Sequence, residues 1–202
     1  MAVTLNASTT TGLVQSADTS GNIELQSNGT TKATVSSSGL AIGQYNPSTS
    51  LVTSGTAVAS TSGTSIDFTS IPSWVKRITV MFDGVSTNGS SLVCIQLGDS
   101  GGIETTGYNG GATNQSPTYT ANTIGLNVLS GSNPSVSLMG QGVLTKISGN
   151  NWVFSAGIQL SLGNISAAGG SKTLSDTLDR IRITTLSGTE TFDAGSINIL
   201  YE

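Results

Sequence analysis

The chain has 202 residues, 36% of them hydrophobic and only 9% charged, with a formal net charge of −4 and no histidine. Both fractions fall below those of an average soluble domain, roughly 45–50% and about 25%. Ser, Thr, Asn and 26 Gly fill the difference, a balance that excludes a mainly helical protein and predicts an all-β one.

The opening Met1-Ala-Val-Thr-Leu-Asn6 has neither a basic nor an apolar leader region, so no signal peptide is expected. A surface of exterior type without an export signal fits synthesis in the cytoplasm and release by lysis. Residues 1–43 are poor in apolar side chains, which come in short bursts: Ile23-Glu-Leu25, Ala33-Thr-Val35 and Leu40-Ala-Ile42. Each burst alternates with period two, as a half-buried strand does. Ser20-Gly-Asn22, Asn28-Gly29 and Ser38-Gly39 supply the turn chemistry between them. Three such strands bury too little apolar surface to offset their own ordering entropy. They are therefore expected to be an intertwined segment that gains its core from other copies by threefold association, with Ile23, Leu25, Val35, Leu40 and Ile42 as the candidate trimer core.

The run Asn22-Ile-Glu-Leu-Gln-Ser-Asn-Gly29, continuing through Ser36-Ser-Ser-Gly39 and Ala41-Ile-Gly43 to Asn46-Pro47-Ser48, resembles a module near the N-termini of bacteriophage tail-fibre and related virion proteins. Thr4-Leu-Asn6, Thr11-Gly-Leu13 and Asp18-Thr-Ser-Gly21 look like the starts of such proteins. The match covers about a quarter of the chain, and Ala41-Ile-Gly43-Gln departs from the usual Gly-Ile-Gly-Thr form of the third strand. The resemblance implies a homotrimer attached to other virion proteins, of tail or capsid, through its N-terminal segment.

Residues 44–56 read as a linker, and residues 57–202 as a β-sandwich knob of jelly-roll type. Expected strands are Ser65–Thr69, Val75–Phe82, Leu92–Leu97, Thr123–Leu129, Val136–Met139, Gly142–Ile147, Trp152–Leu162, Arg180–Thr185 and Ser196–Tyr201. Asp83-Gly84, Asn109-Gly-Gly111 and Gly169-Gly170 are among the expected turns, and 176–182 has room for one helical turn. Ile78, Val80 and Phe82 share one face of their strand, as do Ile181 with Ile183 and Ile197 with Ile199. The last strand is expected to be tied into the sheet, so that its deletion is badly tolerated. Ile71-Pro-Ser-Trp-Val-Lys-Arg-Ile-Thr-Val-Met-Phe82, Ile95-Gln-Leu-Gly98 and Thr106-Gly-Tyr108 also resemble globular domains that end short phage virion proteins.

Without histidine, the Ser-His-Asp and Cys-His mechanisms and histidine-ligated metals are excluded. Cys94 is the single cysteine and reads as a small buried hydrophobe. No basic stripe invites nucleic acid and no apolar run of roughly 18–20 residues spans a bilayer. Neither an enzyme nor a cofactor is expected.

The stretch 98–122 is the candidate host-contact loop, because long loops on rigid scaffolds often carry binding. Tyr108 and Tyr119 would offer ring faces to a cell-surface glycan, and Asp99, Glu104, Asn109 and Asn114 its hydrogen bonds. The competing packing reading, in which Asp99 closes a turn and Tyr108 packs across the trimer, is favoured. Asp99 with Glu104 as the carboxylate pair of a small glycan-cleaving tailspike is the weakest reading. Asp83–Asn88 lacks the spacing of a calcium loop, and Trp74 and Trp152 read as packing residues. Two virion roles remain: a tail fibre or surface appendage that presents the knob, and a capsid decoration protein gripping the shell.

Overall fold

A computed structural model describes residues 21–42, 52–114, 120–161 and 163–202, and every regular element among them is a β-strand. The chain divides into two compact units, 1–51 and 52–202.

In the first unit, β1 (Ile23–Ser27), β2 (Thr30–Ser36) and β3 (Gly39–Ile42) form an antiparallel sheet in chain order. Asn28 and Gly29 both have positive φ, 52° and 73°, the conformation that an Asn-Gly hairpin turn requires. A register shift after Leu25 leaves Lys32 as the extra residue of a bulge.

In the second unit the strands are β4 (Thr53–Ser54), β5 (Val58–Ala59), β6 (Ser65–Phe68), β7 (Arg77–Thr87), β8 (Val93–Asp99), β9 (Gly102–Ile103), β10 (Tyr108–Asn114), β11 (Thr120–Asn122), β12 (Leu126–Asn127), β13 (Leu138–Ser148), β14 (Asn151–Leu160), β15 (Ile165–Thr173), β16 (Arg180–Thr185) and β17 (Phe192–Tyr201). The larger sheet runs β11-β10-β15-β14-β13-β7-β17-β4, with β5 also on β17, and the smaller runs β12-β8-β16-β6, with β9 on β8. Inward side chains of both sheets, among them Ile78, Val80, Leu144, Phe154, Ile158 and Ile197 from the larger and Phe68, Ile95, Leu97, Ile181 and Ile183 from the smaller, make one buried core. The unit is therefore sandwich-like, with the chain passing repeatedly from one sheet to the other.

Several sequence expectations change. Thr53–Ser54, assigned to the linker, pairs with Leu200 and Tyr201, so the end of 44–56 belongs to the sheet; residues 43–51 lie outside the described set. Val136–Met139 and Gly142–Ile147 are one strand, β13. Residues 176–182 contain no helical turn. There Asp99 accepts the Asp176 amide at 2.9 Å and Gly98 O accepts the Asp179 amide at 3.1 Å, and these contacts hold the segment against β8.

The glycine pairs read as turns are mid-strand. Asp83-Gly84 lies inside β7, where Gly84 (φ 64°) faces Gly195 (φ 89°) across a bulged pairing with β17. Any Cβ at Gly195 would fall 2.5 Å from the backbone of Gly84. Asn109-Gly-Gly111 is inside β10 and Gly169-Gly170 inside β15, and they pair with each other: Gly110↔Gly170 and Gly111↔Gly169. A Cβ on Gly170 would sit 2.8 Å from Asn109 O and 2.9 Å from Leu126 Cδ2. These glycines allow Leu126 of the smaller sheet to press against bare backbone of the larger.

Candidate functional site

One surface and one polar cluster carry residues singled out from the sequence, and a second surface emerges from the strand register. The first surface is on the N-terminal sheet. Register places Ile23, Val35 and Leu40 in one cross-strand row, and Leu25, Ala33 and Ile42 in the next. Alternation turns both rows to the same face. On that face Ile23, Leu25, Val35 and Leu40 are 42, 50, 42 and 39% exposed. The side chain of Ile42 lies outside the described set. Glu24 alternates to the other face, where it accepts from Thr31 Oγ1 at 2.9 Å and Gln26 Nε2 at 3.0 Å. An exposed apolar face of this kind marks a candidate interaction surface.

The polar cluster joins residues 99–108, the first part of the stretch 98–122, to 172–176. Asp99 is buried; its Oδ1 accepts the Gly101 amide at 2.8 Å, closing a turn, and its Oδ2 accepts the Ser175 hydroxyl at 2.7 Å. Glu104 accepts the Ser175 amide at 2.7 Å and is ion-paired with the buried Lys172. Lys172 donates to Thr106 O at 2.9 Å and lies 5.2 Å from the centre of the Tyr108 ring. The Tyr108 hydroxyl accepts the Leu97 amide at 2.7 Å and donates to Glu104 O at 2.8 Å.

This arrangement corrects the glycan-platform expectation at three positions. Tyr108 is 3% exposed, so it offers no ring face, and it packs inside its own chain. Asp99 and Glu104 spend their oxygens holding 99–108 to 172–176. Asn109 is exposed on β10 and Asn114 is half-buried at the strand end. Tyr119 lies outside the described residues. The five described residues are thus split between a structural cluster, Asp99, Glu104 and Tyr108, and the exposed side and end of β10, Asn109 and Asn114.

Electrostatics point the same way. The Ser175 hydroxyl and the Gly101 amide hold the Asp99 carboxyl below its ordinary range. Burial opposes ionisation of Glu104, but the Lys172 ammonium and the Ser175 amide outweigh it and the net direction is down. A glycosidase acid needs a carboxyl raised towards neutrality, and neither residue has one. Burial pushes the Cys94 thiol up to about 12, which leaves it without thiolate character. Among the described residues no group of three or more His, Cys, Asp or Glu gathers to hold a metal. Trp152 is in the core, whereas Trp74 is 46% exposed and tilted against Tyr201 at 6.0 Å between ring centres.

The second surface was not singled out from the sequence. On the outward side of the larger sheet, one register row reads Leu200, Thr79, Val143, Ser155, Gly169, Gly111 and the next Asn198, Met81, Gln141, Gly157, Ala167, Thr113. Neither contains a charge. Charges on this side stand at its ends: Arg77, paired with Glu202 at 3.1 Å, and Asp83. The signal was present as uncharged alternate positions in each strand, but it needs the register to assemble into a face.

Comparisons with protein-family models, curated proteins and solved structures find no match for this chain.

Proposed function

We propose that this chain is a structural protein of a bacteriophage particle, a homotrimeric tail fibre or surface appendage whose N-terminal strands assemble and anchor it and whose residues 52–202 form a jelly-roll-like knob. The observation that carries this reading is the exposed apolar face of Ile23, Leu25, Val35 and Leu40. A three-stranded sheet with that face in water is marginal by itself, and three copies turning it to a common axis complete a core. The repeated crossing between two sheets in 52–202 supports the jelly-roll description, since such rolls alternate sheets along the chain. The resemblance of the Asn22–Gly43 run to tail-fibre modules supplies the particle.

Among the described residues of the stretch, host-surface contact stays in this reading at Asn109 and Asn114. Asp99, Glu104 and Tyr108 are given structural roles, and no catalytic role is proposed. The test is the position and copy number of the protein in a cryo-electron microscopy map of the intact particle. Trimeric density at the tail or its vertex is the expected result. Density spread over the shell in many copies would replace the fibre with capsid decoration, and absence from purified particles would end the virion reading.

A further inference from the structure

We propose that the outward face of the larger sheet in 52–202 is a second surface by which copies of this chain pack on one another. The inference rests on the homo-oligomeric part of the preceding reading and adds a contact that the N-terminal strands do not provide.

An antiparallel sheet with one face in water ordinarily carries polar and charged side chains there. The smaller sheet follows that rule: Arg182 makes a bidentate ion pair with Asp67, at 2.8 and 2.7 Å, and Arg180 stands on the same side. The larger sheet does not. Across six long strands its two middle rows hold no charge, and Met81, Val143, Val153 and Leu200 are only half-buried. Ile165, further along the same face, is 58% exposed. The charged positions stand at the ends, which is the anatomy of an interface: an uncharged middle within a polar rim.

The size fits a protein partner. Six strands at about 4.8 Å and four outward rows at about 6.8 Å give a face of about 780 Å², against about 800 Å² per partner in a stable complex. The centre is low. A Cβ on Gly157 would meet nothing within 4 Å, and one on Gly169 only Phe154 O at 3.7 Å, so another sheet can approach closely.

The absence of charge identifies the partner as another copy. Around a symmetry axis the residues nearest the axis meet their own twins, so any charge there would face its like. Each chain already carries a net charge of −4, and the uncharged face is where copies approach without added repulsion. A different partner imposes no such restriction, and complementary charge would favour it.

The test uses the full-length chain with Gly157→Lys and, separately, Ser155→Lys. Both side chains would point outward into open space, so each variant should keep the wild-type circular dichroism. Molar mass is read by light scattering, and peroxide oxidation of Met81 and Met139 is followed by mass spectrometry with an added methionine peptide as the internal reference. In the wild type, Met81 and Met139 should be protected. Either lysine should speed their oxidation at least about tenfold, because like charges at a contact cost several kcal/mol, whether or not the N-terminal strands still hold the copies together. Equal oxidation rates in wild type and both variants would overturn the proposal. If Val35→Lys lowers the mass while those rates stay equal, this inference fails and the trimer reading stands. A wild type that is monomeric throughout overturns both.

Discussion

The hydroxyl of Tyr108 accepts the amide proton of Leu97 at 2.7 Å, and this bond decides the role of Tyr108. It turns an apparent binding aromatic inward and fastens β10 to β8 across the core. Tyr108→Phe keeps the ring but strands a buried amide, which costs about 1–3 kcal/mol. Urea denaturation of the variant should show a midpoint lowered accordingly with an unchanged slope. An unaltered midpoint would mean that the hydroxyl is not part of the fold.

Gly157 and Gly170 are both strand glycines, but they should respond oppositely to the same change. At Gly170 a methyl would collide with Asn109 O, Gly110 Cα and Leu126 Cδ2, all within 2.9 Å, and Gly170→Ala should destabilise by about 1–3 kcal/mol. Gly157 has open space, and Gly157→Ala should be neutral or stabilising by about 0.5 kcal/mol through the unfolded chain. Thermal melts of the two variants side by side check the contrast.

Acid should loosen the polar cluster. Asp99 and Glu104 both have folded pKa values below their ordinary 3.8 and 4.5. The unfolded chain therefore binds more protons in this range, and stability rises with pH. The contribution is fully present above pH 4.5 and is lost as pH falls through the lower, folded values. Denaturation midpoints should fall as pH drops below 4.5, and Asp99→Asn should flatten that dependence; a steeper fall in the variant would contradict the assignment.

Cys94 should be silent in the folded protein. Its thiol is buried and pushed up to about 12, so labelling by an aromatic disulfide at pH 8 should be at least about a hundredfold slower than in denaturant. Rapid native labelling would mean that β8 opens locally.

The last strand should be indispensable. Ile197 and Ile199 are in the core, and Glu202 exchanges backbone hydrogen bonds with Arg77 at 3.0 Å. Removing residues 197–202 deletes two buried isoleucines, each worth about 2–5 kcal/mol. Loss of cooperative unfolding in calorimetry is the expected outcome.

What the sequence determined by itself was whatever a local pattern can hold. Period-two alternation placed Ile78, Val80 and Phe82, and likewise Ile181 and Ile183, on inward faces, where the structure has them. Asn28-Gly29 announced its hairpin because only certain residues tolerate two successive positive φ angles. The apolar bursts from Ile23 to Leu40 showed a sheet short of core before any register was known. Only the tertiary structure decided the rest. β10 and β15 carry few large apolar side chains, so no alternation marks them, and their Gly-Gly pairs mimic turns. They are strands because Gly110 and Gly170 let Leu126 of the opposite sheet close on their backbone. The fate of Tyr108 and the uncharged outer face likewise depend on residues far apart in the chain meeting in register. A hydrogen bond or a face made by distant segments leaves no local periodicity to read.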